Sequence, residues 1–223
     1  MNNLKITLAA IALSFLFLGL CEAQGNPNAP DDYIVIFDTS SSMNLVAATG
    51  ELRKQNFARG VVDNRETILE VVKKAIFEQV GEWQKSSDLA GDPSKVYFYT
   101  FDTNLYPHRE FELDSDGEGQ GDLEAYIQTL PAHGRDTCLI RAIKGVLTKA
   151  PKLLDSQGRQ GARMVYLLTD GAENCIKPGA VAALKAWEGL GEVLGTWKKD
   201  LDAATNKRPG KDKDDMVVIR LGE

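Results

Sequence analysis

Residues 34–44 read IVIFDTSSSMN, and the reading of this stretch decides the fold. Residues 33–37 form an unbroken apolar run rich in β-branched side chains, the pattern of a strand buried on both faces. The run ends on a carboxylate, Asp38, followed by Thr39 and three serines. In sheets built from such strands, ligands sit beyond the carboxyl ends, where the strand order reverses. The residues that end each strand are therefore the informative ones.

Outward from this strand, helices and strands alternate. Ile68, Leu69, Val72, Ile76, Val80 and Trp83 recur at helical spacing and predict a helix over 66–84. KVYFYTF at 95–101 predicts a second strand, and 106–113 a third, joined to it by a short turn at 102–105. So short a connection makes the third strand an antiparallel neighbour, because a parallel one needs a crossover. DSDGEGQGD at 114–122 reads as a break in regular structure, followed by a short helix over 123–130 and a loop over 131–136. A longer helix is expected over 137–154, with Leu139, Ile140, Ile143, Val146 and Leu147 on one stripe. RMVYLLT at 163–169 is another buried-type strand, ending at Asp170. A glycine-interrupted helix over 178–204, a charged loop over 206–215 and a last strand over 216–221 complete the order. The expected fold is α/β: a three-layer, Rossmann-like, doubly wound architecture on a mainly parallel sheet with one antiparallel edge strand.

A chain of 223 residues, 43% hydrophobic, suits one domain around a single core. Its net charge of −6 argues against a nucleic-acid partner, which calls for a basic face. Residues 1–23 have the order of a secretory signal: the charged start MNNLK, an apolar run over 6–21 and a small residue, Ala23, at the exit. Acylation at Cys21 fits less well, since bulky Leu20 precedes it, and an uncleaved anchor would be shorter than the ~20 residues of a membrane span. The chain is thus expected to be exported, to the periplasm or outside the cell, with membrane contact only through an uncleaved or lipidated N-terminus. An exposed leader over 24–32 would precede the domain at 33–223. Beyond the signal two cysteines remain, Cys138 and Cys175. An oxidising compartment favours a disulfide between them, with two buried thiols as the alternative.

Each strand-end feature has an ordinary explanation when taken alone. Serines and threonines after a strand cap helices or make local turns, Thr137 stands where a helix N-cap is wanted, and Asp170-Gly171 is a turn signal. The combination says more. Asp38, Ser40 and Ser42 alternate along one loop, and Thr137 and Asp170 come from two later loops at the same sheet edge. Three hydroxyls and two carboxylates, without sulfur or imidazole, are donors for a hard cation, and they suit Mg²⁺ better than zinc.

Asp-x-Ser-x-Ser at 38–42, Thr137, and the aspartate of LLTDGAEN at 170 resemble the metal-ion-dependent adhesion site of von Willebrand factor A domains. The resemblance covers about residues 33–221. It implies Ser40, Ser42 and Thr137 as direct ligands and Asp38 and Asp170 acting mostly through water. It implies Mg²⁺, with Mn²⁺ or Ca²⁺ as substitutes, and a protein partner that offers an Asp or Glu carboxylate to the open position. Neutral hydroxyls leave most of the ion's charge unquenched, so such a site grips an acidic residue without bond chemistry. Convergence of the loops on one ion also implies a Cys138–Cys175 disulfide that pins two of them, at about 2–4 kcal/mol. Two departures stand out. The family often has a glycine pair before the threonine, where this chain has His133-Gly134-Arg135-Asp136, and it continues past the last strand with a further helix and strand.

Rival readings are weaker. A pepsin-like protease needs Gly after Asp-Thr, where Ser40 stands, and a second such motif to share a proton. An aspartyl hydrolase or phosphotransferase using Asp38 wants a carboxylate at position 40, and the only histidines are His108 and His133. A calcium loop at 114–125 would have Ala125 in place of its bidentate glutamate. A metal-independent scaffold on the same fold is the remaining alternative.

Overall fold

The computed structural model describes residues 32–51, 64–155, 163–170, 173–175 and 215–220. The expected signal, the leader as far as residue 31, the helix at 178–204 and most of the loop at 206–215 lie outside the described residues, and Asp32, expected in the exposed leader, is instead the buried first residue of the first strand. Five strands form one sheet: β1 (Asp32–Asp38), β2 (Ser94–Phe101), β3 (Arg109–Leu113), β4 (Arg163–Thr169) and β5 (Asp215–Arg220), in the order β3-β2-β1-β4-β5. β1 lies at the centre, parallel to β2 on one side and to β4 on the other. β5 is parallel to β4, and β3 is the antiparallel edge.

Helices α1 (Ile68–Ala90), α2 (Glu118–Thr129) and α3 (Leu139–Asp155) cover the sheet. The chain runs from β1 to β2 through α1, then returns across β1 to β4 through α3. Right-handed crossovers in opposite directions place their helices on opposite faces. Accordingly Val72, Ile76 and Val80 of α1 and Leu123 of α2 pack on Val35 and Phe37, whereas Ile143 and Val146 of α3 pack on Ile34 and Ile36. Every residue of β1 is buried, which is why its sequence does not alternate. The reversal of strand order puts a crevice at the carboxyl ends of β1 and β4.

The helices begin or end elsewhere than the sequence predicts, α3 by starting at Leu139 rather than at 137. α1 opens on a capping box in which Glu70 N–H donates to Thr67 Oγ1 at 3.2 Å and Thr67 N–H to Glu70 Oε2 at 2.7 Å. It runs beyond 84 to Ala90 because Ser87, four residues after Trp83, takes the core-facing position. Its hydroxyl bonds Leu113 O and accepts Ser94 N–H, so a polar residue continues an apolar stripe. α2 starts at Glu118, inside the expected break. Gly119 reads as a breaker, yet a Cβ there would collide with the Glu112 carbonyl; the glycine lets the first turn lie against β3. Asp116 Oδ1 accepts Glu118 N–H at 2.8 Å, so this acidic stretch is a strand-to-helix turn.

Candidate metal centre

The loop after β1 is fixed by its backbone before any side chain is considered. Thr39 N–H and its hydroxyl both donate to Phe101 O at the end of β2, at 2.8 and 2.9 Å. Thr39 O in turn accepts His133 N–H and Gly134 N–H, each at 3.1 Å, and Ser41 N–H donates to Gly134 O at 2.7 Å. A 3-10 turn over Ser41–Asn44 then brings Ser42 back beside Ser40. Within the loop expected to hold Asp38, Ser40 and Ser42, it is this turn that gathers the two serine hydroxyls.

Ser40 Oγ is the hub, 2.9 Å from Ser42 Oγ and 2.8 Å from Thr137 Oγ1, which donates to it. Ser40 and Thr137 are buried; Ser42 is half-buried. None of this matches the ordinary capping roles. Ser40 precedes the 3-10 turn without a side-chain cap bond, and Thr137 lies two residues before α3, its hydroxyl donating to Ser40. Below the hub, Asp38 Oδ1 accepts Ser40 N–H at 2.8 Å and Oδ2 accepts the Thr169 hydroxyl at 2.7 Å. Asp170 follows directly, half-buried, and its charge acts on Asp38. Burial pushes the Asp38 carboxyl up to about 6; the Ser40 and Thr169 hydrogen bonds offset part of that, and Asp170 adds to it.

All five expected site residues thus converge in the β1/β4 crevice. Among the described residues, no three His, Cys, Asp or Glu side chains gather as a metal cage; the groups that meet here are three hydroxyls and the carboxylates of Asp38 and Asp170. Their spacing fits a small octahedral ion: Mg–O bonds of 2.0–2.1 Å put adjacent ligands about 2.9 Å apart, whereas the longer bonds of Ca²⁺ need about 3.3 Å or more. The same spacing is that of an O–H···O hydrogen bond. Asp38 is fully buried, and the Asp170 charge beside it raises the cost of ionising it.

The loop's departures from the family pattern leave this geometry intact. Arg135 and Asp136 are exposed. Arg135 contributes its carbonyl, which accepts the Ser41 hydroxyl at 3.3 Å. Gly134, the glycine that remains, lies flat on Asp102, and a Cβ there would stand 2.6 Å from Asp102 Oδ2 and 2.8 Å from Cγ. Asp102 is itself fixed, accepting Asn104 N–H and the Tyr106 hydroxyl at 2.8 and 2.9 Å. Gly134→Ala should consequently destabilise the protein by about 1–3 kcal/mol in urea unfolding, as overpacking does. An unchanged midpoint would mean that the two loops are not held in contact.

The cysteines form the expected bridge: Cys138–Cys175, with Cα atoms 5.0 Å apart, ties the residue after Thr137 to the segment after β4. Two contributors lay outside the sequence reading, Thr169 and Glu173. Thr169 follows the hydrophobic run 164–168 directly, which is the one signal that its hydroxyl is needed there. Glu173 Oε2 accepts Ile140 N–H at 2.8 Å and Oε1 accepts Cys175 N–H at 2.9 Å.

No protein-family model and no curated protein matches the chain. Among solved structures, it is similar to the PilB minor pilin from Streptococcus sanguinis, at 20% identity and a TM-score of 0.47, over 65% of this chain and 30% of the pilin. The vWF domain of the type V pili tip protein Mfa5 from Porphyromonas gingivalis is 17% identical, with a TM-score of 0.44, over 70% of this chain and 43% of that one. The SpRpn10 VWA domain is 12% identical, with a TM-score of 0.41, over 87% and 89%. The functional reading rests on the site itself.

Proposed function

We propose that the chain is an exported, metal-dependent protein-binding module. Ser40, Ser42 and Thr137, backed by Asp38 and Asp170, would hold Mg²⁺, with Mn²⁺ or Ca²⁺ as substitutes. When bound, the ion supplies an open coordination position for an Asp or Glu carboxylate of a protein partner. The observation that carries this reading is the direction of the hydroxyls: three side chains from two loops, each suited to capping a helix or turn, face one another. Hydroxyl donors quench little of the cation's charge, which favours an incoming carboxylate over a bound water.

Bond chemistry has less support. His108 packs against the rings of Tyr97 and Tyr99, at 5.7 and 5.0 Å between centroids, and His133 is exposed on its loop. Neither forms a hydrogen-bonded pair with Asp38, whose two oxygens accept from Ser40 and Thr169. The N-terminal signal order supports export, and no described helix is long and apolar enough to cross a membrane.

Calorimetric titration of Mg²⁺ and Mn²⁺ into the metal-free chain tests the reading. Saturable binding of one ion per chain is expected, followed by capture of an acidic peptide that chelator abolishes. Folded protein that takes up neither ion would instead leave a metal-independent scaffold. Thr137→Val keeps the side-chain shape and removes one donor. Its affinity for Mg²⁺ should fall about tenfold, while Ser40 keeps its bond to Ser42.

A further inference from the structure

We infer that Glu173 is a positioning residue for the hydroxyl set, capping α3 and fixing the segment that holds Thr137 from the other side. This rests on the metal-site reading above and adds a residue that the motif does not contain. A helix begins with backbone N–H groups that have no partner within the helix, and a negative group there is favoured. At α3 the local candidates are poor. Cys138 is tied into the disulfide, and Thr137 Oγ1 donates to Ser40 Oγ. The group that meets the helix comes from 33 residues further on, where Glu173 Oε2 accepts Ile140 N–H.

The second oxygen of the same carboxylate accepts Cys175 N–H, and Asn174 N–H donates to Thr137 O at 3.0 Å. The segment after β4 therefore reaches the start of α3 by a carboxylate, a backbone bond and a disulfide. These ties are not equivalent. The disulfide and the backbone bond set how far apart the segments lie, whereas Glu173 alone satisfies a helix amide. Without it, Ile140 N–H loses its acceptor, and the segment whose Asn174 N–H holds Thr137 O loses its carboxylate tie to α3. Glu173 thus helps to hold Thr137 where its hydroxyl meets Ser40.

The test uses the oxidised full chain and two readouts, Mg²⁺ titration and amide hydrogen exchange without metal. Glu173→Ala should weaken Mg²⁺ binding about tenfold with the disulfide intact, and exchange at Ile140 and Cys175 should quicken. Glu173→Gln keeps one carbonyl oxygen for Ile140, so its affinity should recover most of that loss. Should Glu173→Ala not fold, Glu173→Asp, too short to reach both amides, carries the same comparison. Binding as tight in the alanine variant as in the wild type would overturn the inference. So would unchanged exchange at Ile140, and that readout decides the matter even if the wild type takes up no Mg²⁺, an outcome that sinks the metal reading separately.

Discussion

Asp38→Ala should weaken Mg²⁺ binding by about a hundredfold or more, the upper end of what loss of a supporting carboxylate costs a metal site. The residue stands beneath the whole donor set. Its Oδ1 holds Ser40 N–H, which fixes the hub hydroxyl, and its Oδ2 ties that loop to Thr169 at the end of β4. Alanine removes both anchors and one of the two negative charges that offset a dication. The sheet should survive, because Thr39 keeps both of its bonds to Phe101 O and the flanking Phe37 stays buried. In the metal-free protein, two opposing effects nearly cancel: lost hydrogen bonds destabilise, and removal of a buried carboxylate relieves a desolvation cost. Asp38→Asn separates charge from shape, since its amide oxygen still accepts Ser40 N–H. Titration of both variants at neutral pH, with circular dichroism as the control for folding, checks the result. Retention of wild-type affinity by folded Asp38→Ala would remove Asp38 from the site.

What the sequence made legible followed from pattern, and what it hid followed from contact at a distance. The apolar run at 33–37 and the helical spacing of Ile68 to Val80 needed only periodicity, and both elements lie where the pattern puts them. The antiparallel edge needed only the shortness of the 102–105 turn, and β3 pairs as expected. Asp38, Ser40, Ser42, Thr137 and Asp170 were visible as strand-end oxygens, although their meeting depends on the reversal of strand order about β1. Gly119 misled because its role is clearance from Glu112 rather than a break. Ser87 hid the end of α1 because a hydroxyl satisfied by backbone acts like a core residue. Glu173 was invisible: a carboxylate in a polar loop reads as solvated, and its partner amide is 33 residues away.

In the metal-free protein Asp38 should subtract stability as pH rises from about 4 to 7, by up to about 3 kcal/mol relative to Asp38→Asn. The sign follows from Asp38, whose carboxyl is raised by burial from its ordinary 3.8 to about 6 in the folded chain. Between those values the folded state holds a proton that the unfolded chain has released. Stability is then fully present below about 4 and is lost as pH rises through about 6. Most carboxylates in folded proteins work the other way, so the Asn comparison isolates this one from the background. Urea unfolding in chelator, at half-unit steps of pH, gives the curve for both proteins. Adding Mg²⁺ should restore stability at pH 7 in the wild type and leave Asp38→Asn little changed, because a cation favours the ionised carboxylate that burial opposes. A wild-type curve parallel to that of the Asn variant would mean that Asp38 ionises without cost in the folded chain. In that case the crevice would already compensate the Asp38 charge, and the electrostatic support for the proposed cation would be gone.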